Sequence, residues 1–269
     1  MSAAPTWLSY SQKSQNYDQF RPRYPEAAVE LVVANLVDGQ NDHVFADVGA
    51  GTGIFTRQLA SRLGSRARVI GIEPNDEMRN HAVQLSAGFP QIEFLKGQAE
   101  SVPIDSSSLT VVTAATAATQ FNRPPFYREA SRILKACGIL SLLHNKHRYW
   151  ENDFLAEFES FRERILPGYK RGTFADHLHQ YKAVNFAAEL EAEAAFTAVV
   201  FYSLPWSTTV TSEAFIGFCL SMGYMTRVTN AMGLDNVRKE LTKMTSKYSD
   251  SDGRLTIDYV TEVTLAFRV

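Results

Sequence analysis

The sequence predicts an α/β fold, a largely parallel sheet with helices on both faces. Two observations carry this. Short runs that are apolar at nearly every position alternate with stretches whose apolar residues recur at helical spacing. A strand apolar on both faces belongs inside a covered sheet, and helices between such strands make the crossovers that parallel pairing requires.

The elements follow in order. Residues 25–37 (PEAAVELVVANLV) open on proline and repeat at helical spacing. HVFADV (43–48) predicts the first strand, GAGTG a turn, and residues 54–63 a helix. ARVIGIE (67–73) predicts the second strand, and NDEMRNHAVQL (75–85) a helix with Asn75 at its N-cap. QIEFLKG (91–97) and LTVVTAA (109–115) predict strands three and four. PPFYREASRILK (124–135) predicts a helix, and GILSLLHN (138–145) the fifth strand.

The second half changes character. Residues 150–193 are rich in Phe, Glu, Ala and Arg and predict helix throughout, an insertion after strand five. Residues 196–204 and 254–268 predict strands, with helices near 212–223 and 233–247 between them.

Composition sets the class. The chain has 269 residues, 45% hydrophobic and 21% charged, which suits one globular domain over 1–269. Net charge is −2, so no basic excess announces a nucleic-acid surface. The polar N-terminal segment has no signal-peptide pattern, and no stretch is long and apolar enough to span a bilayer. Cys137 and Cys219 lack metal-ligand spacing and read as reduced structural cysteines, which points to a cytoplasmic protein without a metal.

The chemistry concentrates at residues 47–53, DVGAGTG, between a predicted strand and a predicted helix. Glycines allow a tight turn and close backbone approach to a ligand. In an open parallel sheet, ligands dock at the carboxyl ends of the strands. Glu73 closes the neighbouring strand, where a carboxylate can accept both hydroxyl protons of a ribose. Together they imply an adenosine-like ligand. A dinucleotide fingerprint would need G-x-G-x-x-G/A, and here the sixth position is Ile54. Asp47, ending its strand, reads as an anchor of the loop through backbone amides.

Five segments in order now carry a resemblance: YDQFRPRYP (17–25), DVGAGTG (47–53), GIEPNDEM (71–78), GQAESVPI (97–104) and EASRILKACGIL (129–140). The chain resembles class I S-adenosylmethionine-dependent methyltransferases, and most of all their small-molecule branch, type 11. The resemblance implies a Rossmann-like seven-stranded sheet, five parallel strands plus an antiparallel C-terminal pair, with the last strand between the fifth and sixth. It implies cofactor-covering helices at 1–38 and a helical lid at 146–193.

By position, it implies that Gly49, Ala50, Gly51 and Gly53 pass the methionine part of S-adenosylmethionine. Glu73 would bind the ribose, Pro74 and Met78 pack on the adenine, and Gln98 and Ala99 meet its edge. Ala115 and Thr116 would lie near the methionine end. Tyr17 and Arg21 would come from the segment that folds over the cofactor, with Arg21 pairing the methionine carboxylate. Two departures stand out. The family's His-Trp-Phe run after strand four is Thr119-Gln120-Phe121 here, and its Trp-Asn after strand five is His144-Asn145.

Methyl transfer from a sulfonium is an in-line displacement that asks chiefly for alignment and exclusion of water. A base is needed only if the nucleophile must lose a proton. His144, His147 and Tyr17 are candidates for that role, with Gln120 and Asn145 to orient an acceptor. Aromatic residues of the insertion (Trp150, Phe154, Phe158, Phe161, Tyr169) can line an apolar pocket or pack the lid. The expected partner is a small-molecule acceptor. The competing readings are a macromolecule methyltransferase, a nicotinamide-dependent oxidoreductase and a non-catalytic cofactor-binding protein.

Overall fold

The computed structural model describes residues 8, 14–36 and 43–269. They fall into two compact units. The first is drawn from Met1–Pro22, Lys146–Ala183 and Pro205–Val260, the second from Arg23–Asn145, Val184–Leu204 and Thr261–Val269.

The second unit holds most of a seven-stranded sheet. Its strands are β1 (His43–Val48), β2 (Ala67–Ile72), β3 (Ile92–Leu95), β4 (Leu109–Ala115), β5 (Leu134–His147), β8 (Phe196–Thr211) and β9 (Arg254–Arg268). Their order is β3-β2-β1-β4-β5-β9-β8. The first five are parallel, and the C-terminal pair is antiparallel. The final strand lies between the fifth and sixth strands of the sheet, as expected.

Neighbouring residues of each strand enter opposite layers. Ala46, Ile70, Val112 and Leu140 join one buried cluster, with Phe126, Tyr127 and Ile133 of α5 (Arg123–Ile133) and Leu190 of α7 (Phe186–Glu191). Phe45, Val69, Val111 and Ile139 join the other, with Val29 and Val32 of α2 (Glu26–Ala34) and Phe55 and Leu59 of α3 (Ile54–Leu63). This is the period-two rule with both faces apolar, the reason the strands read as continuous apolar runs. On α4 (Asp76–Leu85), Asn75 caps as expected, its side chain accepting from the amides of Glu77 at 3.0 Å and Met78 at 3.1 Å.

The first unit has its own core, formed by α6 (Asp153–Ile165), α8 (Ser212–Ser221), α9 (Met225–Met232) and α10 (Leu234–Tyr248) with one end of β9. Phe154, Phe158, Phe215, Ile216, Val237 and Leu241 are buried in it. α1 (Ser14–Phe20) packs on α8.

The structure corrects the reading of 146–193 as a helical lid. Only α6 is a long helix there. Pro167 forces Leu166 into an extended conformation and ends it. A small antiparallel pair follows, β6 (Phe174–Ala175) with β7 (Tyr181–Lys182). Asp176 closes its turn by accepting from the amides of Leu178 and Gln180, each at 2.9 Å. The segment also divides between the units after Ala183. α7 is fastened to α5 within the second unit: Glu189 accepts from Arg123 at 2.6 and 2.9 Å and from the Tyr127 hydroxyl at 2.8 Å.

The N-terminal pair of helices divides likewise, with α1 in the first unit and α2 in the second. Of the segment 1–38, residues 1–7, 9–13, 37 and 38 lie outside the described residues.

Candidate functional site

Strand register sets the site. Val48 is paired with Ile72, Asp47 with Thr113, and Ala115 with Leu143. The residues just beyond these pairs therefore line up along one edge of the sheet: Gly49 after β1, Glu73 after β2, Thr116 after β4 and His144 near the end of β5. This is the carboxyl edge of the parallel strands.

The turn after β1 is closed by its own backbone. The amides of Gly49 and Ala50 both donate to the Ile72 carbonyl, at 2.8 and 3.1 Å, and Gly53 donates to Ala50 at 2.8 Å. Gly49 and Gly53 have φ of +73° and +80°. A Cβ on Gly49 would come within 2.7 Å of the Ala117 Cβ, and one on Gly53 within 2.8 Å of the Phe94 ring. Both glycines are required by conformation and by close packing.

Glu73 is buried and holds two elements at once. It accepts from the Gly51 amide at 2.9 Å and from the Asn75 amide at 2.8 Å. Burial raises its pKa, while the amide bonds from Asn75 and Gly51 oppose the shift. Asp47, 1% exposed, anchors the loop chiefly through hydroxyls: Thr56 donates at 2.6 Å and Thr113 at 3.1 Å. Burial pushes its carboxyl up to about 6, against the pull of those two hydroxyls.

The other expected residues are placed as follows. Met78 is buried in the first turn of α4, and Pro74 is half-buried ahead of it. Gln98 is exposed and Ala99 buried, in a tight turn where Ser101 donates to the Gln98 carbonyl at 3.1 Å. Ala115 ends β4. Thr116 has φ of +53°, donates its amide to Leu143 at 2.7 Å and accepts from the Tyr24 hydroxyl at 2.6 Å. Gln120 is half-buried at the end of a short 3-10 turn, Ala118–Gln120.

His144 is buried, its ring 6.5 Å from that of Phe186. Asn145, read as an orienting group, is engaged structurally: it accepts from Thr261 at 2.5 Å and donates to the Arg23 carbonyl at 3.3 Å. Tyr17 and Arg21 belong to the first unit, as does His147. There the Arg21 guanidinium lies 4.5 Å from the Tyr17 ring centroid and 5.3 Å from that of Phe218.

Sequence reasoning missed Tyr24, whose hydroxyl holds Thr116. Its signal was the RPRYP run, in which a proline-flanked tyrosine fixes the entry to α2. Among the described residues, no group of three or more His, Cys, Asp or Glu is arranged to hold a metal ion. No described helix is long and apolar enough to cross a membrane.

Residues 46–142 match the sequence family described as a methyltransferase domain. This stretch contains the glycine turn, Glu73 and Thr116, and it lies wholly within the second unit.

A Dictyostelium discoideum protein named as a methyltransferase is 29% identical over 168 residues, covering 55% of this chain and 60% of that protein. The chain thus spans about three fifths of that relative's length. Demethylmenaquinone methyltransferase of Chlorobaculum tepidum is 26% identical over 183 residues, 65% of this chain and 74% of that one. Among solved structures, a protein from Anaeromyxobacter dehalogenans named as a type II methyltransferase superposes with a TM-score of 0.67. It shares 16% identity over 91% of this chain and 97% of that one. The two share their fold, a Rossmann-like seven-stranded sheet with helices around it.

Proposed function

We propose that the chain transfers a methyl group from S-adenosylmethionine to a small-molecule acceptor. The observation that carries the reading is the pairing of a glycine turn with a buried acid, Glu73, on neighbouring parallel strands of the methyltransferase domain. Each Glu73 oxygen already accepts one backbone amide. Each still has a lone pair for a ribose hydroxyl.

The turn also fits this donor better than a dinucleotide. The amides of Gly49, Ala50, Gly51 and Gly53 are all used within the protein, so they do not form a cradle for pyrophosphate. In this reading Gly49, Ala50, Gly51 and Gly53 lie along the methionine part. Pro74 and Met78 pack on adenine, and Gln98 and Ala99 meet its edge. Ala115 and Thr116 stand near the methionine end. The assignment rests on the second unit alone and does not use Tyr17 or Arg21.

When bound, the donor supplies an activated methyl group on a sulfonium. The protein's share is alignment and exclusion of water. In this reading His144, at the carboxyl edge, takes a proton from an acceptor that must lose one, and Gln120 orients that acceptor. The small-molecule reading draws support from the near-neutral charge and from the Chlorobaculum relative, whose name is that of an enzyme acting on a quinone.

Calorimetric titration with S-adenosylmethionine, its demethylated product and NAD tests the assignment. The first two are expected to bind and NAD is not. Binding of NAD alone would overturn it.

A further inference from the structure

The first unit buries a polar cluster that methyl-donor binding leaves unused. Glu159 and Arg162 lie one turn apart on α6, among Phe154, Leu155, Phe158 and Phe161 of its buried face. Arg162 donates to Glu159 at 2.7 Å, the Tyr169 hydroxyl donates to its other oxygen, and His147 Nδ1 lies 3.8 Å away. Burial works against the Glu159 anion, yet His147, Arg162 and Tyr169 hold its carboxyl down at about 2. Burial lowers the pKa of His147 itself, against the pull of Glu159. The carboxylate of the cluster is therefore engaged.

Donors remain. Arg162 Nε, the Tyr181 hydroxyl and the Tyr224 hydroxyl are buried and have no hydrogen-bond partner among the described residues. They belong to one neighbourhood. The Arg162 guanidinium lies 4.2 Å from the Tyr169 ring centroid and 5.3 Å from that of Tyr224, and the Tyr181 ring is 5.2 Å from the Tyr169 ring. Leaving such groups dry and unmade is costly, and native interiors rarely do so. What they lack is an acceptor. A carboxylate offers several acceptor sites in a small volume and matches guanidinium and hydroxyl donors alike. The Arg21 guanidinium, over Phe218, adds a second positive group to the same region, so an added anion would not face Glu159 alone. The surroundings are aromatic: the rings of Phe158, Phe218 and Tyr259 lie 5.1–5.9 Å from His147, and Trp206 stacks on Tyr259 at 4.7 Å.

We propose that the first unit binds a small organic carboxylate with an apolar body, its oxygens accepting from Arg162 Nε and the hydroxyls of Tyr181 and Tyr224. The inference does not depend on methyl transfer, since binding is measured without any methyl donor.

The test is calorimetric titration of the full chain with benzoate, cinnamate and octanoate, each beside its primary amide, and with inorganic phosphate. At least one acid is expected to bind, with its amide about tenfold weaker or more. Tyr181→Phe and Tyr224→Phe should each weaken that acid about tenfold while leaving Tm unchanged or higher, because each removes a buried hydroxyl that no described group satisfies. The proposal is overturned if no acid binds, if acid and amide bind alike, or if phosphate binds in their place. A lower Tm in both Phe variants with ligand affinity unchanged would also overturn it, since ordered water would then be what the hydroxyls hold.

Discussion

The Gly51 amide donates to one oxygen of Glu73 at 2.9 Å, while the other oxygen takes the Asn75 amide at 2.8 Å. One side chain thus ties the turn after β1 to the entry of α4. The acid is a structural clasp as well as the proposed ribose acceptor, so its removal should be felt twice. Glu73→Gln keeps the shape but points an NH2 group at a backbone N–H. We expect a stability loss of about 1–3 kcal/mol in urea unfolding and S-adenosylmethionine binding weakened about tenfold or more by calorimetry. If both stay at the parent values, the clasp and the ribose role are both wrong.

Asp47 predicts a pH dependence. Burial raises its folded pKa to about 6, above the ordinary carboxyl value of 3.8. Between those values the folded state binds the proton that the unfolded state has released. The resulting contribution is fully present below the lower value and is lost as pH rises through the upper one, to the extent of about 3 kcal/mol. Asp47→Asn cannot ionise. The stability of the Asn variant relative to the parent should therefore improve from about pH 4 to pH 7 and level off above that. Urea midpoints of the two proteins across that range check it, and a flat difference would contradict the shift.

Two glycines separate conformation from crowding. Gly253 has φ of +71° with nothing within 4 Å of where an added methyl group would stand, whereas Gly49, at φ +73°, has Ala117 2.7 Å from that point. Gly253→Ala should cost about 1–2 kcal/mol, the strain of a left-handed conformation. Gly49→Ala adds a clash with buried neighbours and should cost about 1–3 kcal/mol more. Thermal unfolding compares them directly, and equal losses would mean that the turn after β1 relaxes freely.

Residues 109–115 were legible as a short continuous apolar run, and residues 54–63 and 254–268 by the periodicity of their apolar residues. The glycine turn and Glu73 were legible because a strand end fixes where such residues must lie. The lid was not. Its helical composition is real over α6, but Pro167 stops the helix and Asp176 organises a turn through its own side chain, a local bond that leaves no periodic trace. α9 was missed for the same reason, being eight residues long and starting only a few residues after α8 ends. The cluster on α6 did leave a trace: Glu159 occupies a position of the apolar stripe, four residues after Leu155, where a charge must be paired.

Thr116 is a β-branched residue at φ +53°, a conformation that persists only where the surroundings insist on it. The insistence comes from its hydroxyl, which accepts from the Tyr24 hydroxyl at 2.6 Å and from the Asn145 amide at 3.4 Å, and from its amide on the Leu143 carbonyl. Tyr24→Phe removes one donor and leaves the threonine oxygen with another, so the loss should be modest, about 1 kcal/mol. Thr116→Val keeps the branched shape but deletes the acceptor that both the Tyr24 hydroxyl and the Asn145 backbone amide use; the loss should reach about 1–3 kcal/mol. Thr116→Gly also deletes the acceptor but releases the backbone strain, and should fall between the two. Urea unfolding of the three variants gives the ranking. A valine variant as stable as the parent would mean that the hydroxyl does not hold this turn and that the bend beyond β4 is fixed by packing alone.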